Sequence, residues 1–146
     1  MKYQGDNAFV SSSITALNQM NSTKIGGQVL GELVGSKNQF NFTNTFAKDE
    51  DGNDVKDALS FAKSGNGGGE IHAGALLGDK MQEGQKLETT AHELFHGYQS
   101  EKGQTSNGSL ATVNNEVGAY LFGRAVYYSY NQDKAFGMMP WGNGTQ

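Results

Sequence analysis

The segment His92-Glu93-Leu94-Phe95-His96 constrains this chain more than any other. It reads HExxH, the pattern in which one helix carries two metal ligands and a catalytic carboxylate. Side chains four residues apart stack on one helix face, so both imidazoles can reach a single ion only if this stretch is helical. Glu93 is rotated about 100° from His92. That offset suits a residue that handles the attacking water rather than the metal. The chain has only three histidines, and two of them stand here.

The surroundings fit a helix over about 85–102. Leu87, Ala91, Leu94, Phe95 and Tyr98 form an apolar stripe at helical spacing, and Gly103 supplies a stop. A catalytic zinc needs a third protein ligand and an open position. Cysteine is absent, which removes thiolate ligands and disulfides together. The long HExxHxxGxxH form fails, because Gln99 stands where the glycine would be and Lys102 where the histidine would be. A downstream carboxylate remains.

Glu116 is the leading candidate. Residues 113–130 form a second long helical pattern, with apolar residues around nearly its whole circumference, which predicts a mostly buried helix. Glu116 and Arg124 are its only charges, and a buried carboxylate needs a partner. Zinc is one; a basic neighbour or the helix N-terminus is another. Ala119 and Gly123, near the Glu116 face, would let the two helices approach closely. Asp133 is the alternative third ligand. His72 and Tyr120 are candidates for contact with substrate or transition state.

The rest predicts an α+β domain spanning 1–146, with long helices on a small mixed sheet. A helix is expected over about 7–20, and a second over about 22–34 capped by Asn21 or Ser22. Gly26, Gly27 and Gly31 weaken that second helix by about 1 kcal/mol each, which close packing would offset. Phe40, Phe42 and Phe46 alternate with polar residues as a half-buried strand. The acidic run 48–54 reads as a solvated hairpin and 64–69 as a glycine-rich loop. A short strand over 70–77 then precedes the metal helix, where an edge strand would pair with extended substrate. A formal charge of −4 gives no basic footprint for nucleic acid. No segment is apolar enough to span a bilayer, and no secretory leader is visible at the start.

Gly69-Glu70-Ile71-His72-Ala73-Gly74, Thr89-Thr90-Ala91-His92-Glu93-Leu94-Phe95-His96-Gly97-Tyr98-Gln99 and Asn115-Glu116-Val117-Gly118-Ala119-Tyr120 together carry a resemblance. The chain resembles zincin-like metallopeptidase domains at the C-terminal ends of bacterial RHS/YD-repeat proteins and related polymorphic toxins. The resemblance covers roughly 65–130. It implies a zincin-like fold, one zinc ion and peptide-bond hydrolysis, with His92 and His96 as ligands, Glu93 as general base and Glu116 as third ligand. It also implies a module of a larger protein, secreted or delivered, with a polypeptide substrate and an immunity protein as partner. Two other readings stand beside it: a degenerate module that binds peptides without cutting them, and a zinc amidase acting on cell-wall peptide.

Overall fold

Helix α1 (Asn7–Asn21) begins where the Asp6 carboxylate accepts the Phe9 backbone N–H at 3.0 Å. This satisfies one of the donors that a helix start leaves without a partner. The computed structural model describes residues 1–103 and 109–138, with side chains over 1–103 and 113–132. Phe9, Ser13, Ala16, Leu17 and Met20 turn α1 toward the core. Helix α2 (Lys24–Gly35) follows at once. Its cap is Thr23, whose hydroxyl accepts the Gly26 N–H at 3.1 Å, rather than Asn21 or Ser22. A Cβ at Gly26 would lie 2.2 Å from the Met20 carbonyl oxygen, so the turn between the helices closes only around glycine. Gly31 has no such neighbour within 4 Å, and its glycine is unexplained by packing.

Three strands run parallel: β1 (Lys2–Gln4), β2 (Phe40–Thr43) and, later in the chain, β6 (Gly69–His72). Between β2 and β6 the chain makes a small hairpin, β3 (Ala47–Lys48) with β4 (Asp54–Val55), and then β5 (Ser60–Lys63). The hairpin is the expected acidic turn. Asp49 accepts the backbone N–H groups of Asp51 and Asn53, Gly52 takes φ 81°, and Lys48 pairs with Asp54. Strand β5 is antiparallel to β6, and the main sheet has the order β1-β2-β6-β5.

Two sequence expectations about the sheet are corrected. The strand expected over 70–77 ends at His72, and Gly74–Leu77 is a single 3-10 turn. The Gly74 N–H bonds the Thr45 carbonyl at 2.9 Å, and a Cβ on Gly74 would come within 3.0 Å of Thr45, so the backbone bends there. The strand is also interior, held by β2 on one side and β5 on the other. The edge is β5, a stretch whose composition gave no strand signal. It is brought back along β6 by Gly67 and Gly68, both at positive φ.

Helix α3 (Glu83–Glu101) carries HExxH. Gln82 and Gln85 cap it reciprocally, and Gly103, at φ 67°, ends it. Phe40, Phe42 and Ile71 point from one sheet face into a cluster with Leu17, Leu33, Leu87 and Leu94. The opposite face carries the cross-strand row Lys2, Asn41, Glu70 and Ala62. Helix α4 (Ser109–Met138) lies along α3. The expectation of a mostly buried α4 fails. Ala119, Phe122 and Val126 are buried, but Val113, Val117, Tyr120, Leu121 and Tyr128 are at least half exposed. Among the described residues the helix packs mainly on α3, with a smaller contact to α1. The described residues thus form an α+β arrangement of four helices and a small mixed sheet.

Candidate metal centre

On α3, His92 and His96 lie one turn apart with their rings edge to face, 5.0 Å between centroids. From α4, Glu116 meets both: its Oε1 lies 2.5 Å from His96 Nε2, and its Oε2 lies 3.4 Å from His92 Nε2. One ligand atom from each of the three residues lies within 4.8 Å of the others. Gly123 makes this approach feasible, since a Cβ there would stand 2.8 Å from the Glu88 carbonyl oxygen and 3.4 Å from His92 Cβ. The Arg124–Glu88 ion pair, at 2.8 Å, ties the same turns together.

Glu116 is where the sequence placed it, but the reason given there fails. Its side chain is 58% exposed, so no buried charge demands a partner. What brings it to the histidines is the packing of α4 on α3.

Gln99 was overlooked. It is buried, and its Oε1 lies 3.0 Å from His96 Nδ1 while its Nε2 donates to the Asn115 carbonyl at 3.0 Å. Imidazole can donate to that oxygen only through Nδ1–H, so in a neutral ring the Nε2 lone pair faces Glu116. The motif itself holds no signal for this role; Gln99 drew notice only as a missing glycine.

Glu93 lies off the ligand stripe, with Oε2 3.7 Å from His92 Nε2 and its side chain only 13% exposed. Burial, and then the Glu116 charge, push its carboxyl up to about 8, against the Phe61 backbone N–H that bonds it. Burial also lowers the His92 pKa, ahead of the Glu116 carboxylate, which raises it. A neutral imidazole is the form that binds metal.

The residues fit a zinc ion. A tetrahedral site with bonds of about 2.0–2.2 Å spaces its ligand atoms roughly 3.3–3.6 Å apart; His92 Nε2 and Glu116 Oε2, at 3.4 Å, meet that spacing, whereas Glu116 Oε1, closer to His96 Nε2, would have to draw back to admit the ion. Two imidazoles and a carboxylate are a zinc donor set. A cation among them would oppose the rise in the Glu93 pKa, since a nearby positive charge favours the carboxylate.

The cluster opens into a cleft of about 360 Å³ lined by Ser60, Phe61, Lys63, Glu93, His96, Ser100 and Glu116. One wall is the β5 edge. The Ser64 N–H bonds the Gly68 carbonyl, so in this register Ser60 and Ala62 also turn their backbone groups toward β6. Phe61 and Lys63 therefore present theirs to the cleft.

Neither His72 nor Tyr120 lines this cleft. His72 follows the core residue Ile71, so it stands on the sheet face turned away from α3, with Nδ1 2.7 Å from Thr45 Oγ1. Tyr120 is one turn beyond Glu116 on the exposed side of α4. The Asp133 side chain lies outside the described residues.

A family model, peptidase M91, described as effector protein, matches residues 1–129 of the 146. The chain belongs to this family. It is therefore a peptidase-type effector, and a polypeptide is the substrate class that membership suggests. The matched residues include α3, the β5 edge and Glu116; Asp133 falls beyond them. Comparisons with curated proteins and with solved structures give no match. Among the described residues no helix is long and apolar enough to cross a membrane.

Proposed function

We propose that this effector is a zinc-dependent endopeptidase with a zincin-like centre, in which His92, His96 and Glu116 hold the metal and Glu93 is the general base. The observation that carries this reading is the convergence of Glu116, from a separate helix, on the two imidazole nitrogens. When bound, zinc supplies Lewis acidity that makes water a nucleophile near neutral pH and polarises a carbonyl.

The chain's own residues do the rest. Gln99 fixes the His96 ring with Nε2 forward. The outward N–H and C=O of Lys63, and the C=O of Phe61, pair with an extended substrate and set its backbone in the cleft. The Phe61 N–H holds Glu93 in place. Glu93 takes a proton from the attacking water at its carboxylate and passes it to the departing amine nitrogen as the C–N bond breaks. An edge strand reads backbone rather than a chain end, which supports internal cleavage.

Delivery as the toxic module of a larger protein, with an immunity protein, is the biological setting we propose on the resemblance to RHS-associated domains. A proteome-wide cleavage screen comparing wild type with Glu93→Gln tests the chemistry. Peptide bonds cut by wild type and spared by the variant are expected; identical profiles would refute it.

A further inference from the structure

A second concavity, about 480 Å³, lies at the far end of β5. Its floor is the outer-face row Asn41, Glu70 and Ala62, and its walls include Lys37, Lys63 and the 64–69 turn. Lys63 lines both this bowl and the metal cleft. The two are therefore successive stations along one strand edge.

We infer that the bowl is the subsite for an acidic side chain of the substrate, on the N-terminal side of the scissile bond. The inference rests on the peptidase reading. A substrate strand antiparallel to β5 runs from the Lys63 end toward the Ser60 end. Its carbonyl under attack lies by Glu93, beside Phe61, so the residues that precede it lie toward Lys63 and the bowl. At about 3.4 Å per residue, the second to fourth of these reach it. Alternate side chains of that strand project over the outer face, onto the Ala62–Glu70–Asn41 row.

The lining chooses the charge. Ion pairs among the described residues engage Lys48, Lys86, Lys102 and Arg124, but not Lys37 or Lys63. Glu70 is the single carboxylate among the lining residues, which include Lys37 and Lys63; Lys63 leaves the strand on the α3 face with Phe61 and lines the bowl from the strand edge.

The test has two arms. In the first, zinc-loaded wild type digests a defined peptide library, and residue frequencies are read at each position around the cuts. Asp and Glu should be enriched two to four residues before the scissile bond. Lys63→Glu and Lys37→Glu should each reduce that enrichment roughly two- to fivefold, the size of an exposed ion pair, whereas Lys56→Glu should not. Raised salt should weaken the enrichment in wild type. In the second arm, Glu93→Gln is applied to an array of the same peptides, and retained binding should follow the same acidic preference. Cutting with a flat profile, or with Lys and Arg enriched at those positions, overturns the inference and leaves the peptidase reading intact. Acid-selective binding without any cutting by wild type upholds the subsite and overturns the peptidase reading.

Discussion

Gln99 Oε1 lies 3.0 Å from His96 Nδ1, and the same amide donates to the backbone of Asn115, next to Glu116. One buried side chain thus orients a proposed ligand on α3 and anchors the turn of α4 that presents another. Partners of this kind fix the tautomer and direction of a metal-binding imidazole. Gln99→Leu should keep the fold but weaken zinc binding by about 10–100-fold. Competition with a chelator of known affinity measures this, and unchanged affinity would remove Gln99 from the account.

Glu116 is exposed, so its loss should cost the metal-free protein little. Its effect should appear only with zinc. Saturating zinc at about 100 times its dissociation constant should stabilise wild type by about 2.7 kcal/mol. In Glu116→Ala most of that gain should vanish, while Asp133→Ala should keep it. Thermal melts with and without zinc decide, and the reverse order would move the third ligand to Asp133.

Gly123 and Gly31 make opposite predictions. A methyl at Gly123 meets the Glu88 backbone at 2.8 Å and must push α4 from α3. Overpacking of this kind costs about 1–3 kcal/mol, more than the helix propensity gained, and zinc affinity should fall with it. Gly31 faces open space. Gly31→Ala should raise stability by about 0.4–1 kcal/mol. Paired melting curves check both signs.

HExxH and the helix that bears it could be read from the sequence, because both rest on local spacing; Glu116 stands beside the histidines for a reason the sequence argument did not contain, the packing of α4 on α3. The face of α4 could not be read. Its apolar residues circle the helix, and periodicity cannot tell a buried helix from one with an exposed apolar side; only packing on α3 decides. Strand β5 escaped for a related reason. Ser60-Phe61-Ala62-Lys63 has weak strand composition, and it is made a strand by two left-handed glycines and by pairing with β6. The sequence reading offers Glu70–Leu77 as the edge strand, whereas the sheet edge is β5, one strand further out. Gln99 is a tertiary role that no spacing encodes.

Glu101 gives a pH signature away from the metal centre. The Ser36 hydroxyl and the Asn38 amide, each at 2.6 Å, hold its carboxyl below the usual range. A depressed folded pKa means stability that is full above the unfolded value, about 4.3, and lost as pH falls through the lower folded value. Glu101→Gln should therefore melt below wild type at neutral pH. The gap should close as pH drops under about 4. A gap that widens in acid would contradict the assignment.

Turnover should depend on the one acid of the motif that touches no metal. Glu93→Gln keeps size and shape, and its rate should fall by about 10²–10⁴-fold with zinc still bound. Single-turnover kinetics on any peptide found in the cleavage screen measure it.

The most direct measurement is zinc content per chain, by elemental analysis after dialysis, for wild type, His92→Ala, His96→Ala and Glu116→Ala. The account predicts about one equivalent in wild type, as for a catalytic site of three protein ligands, and substantial loss in each variant. Full zinc retention in all three, or none in wild type under zinc-replete conditions, would contradict it.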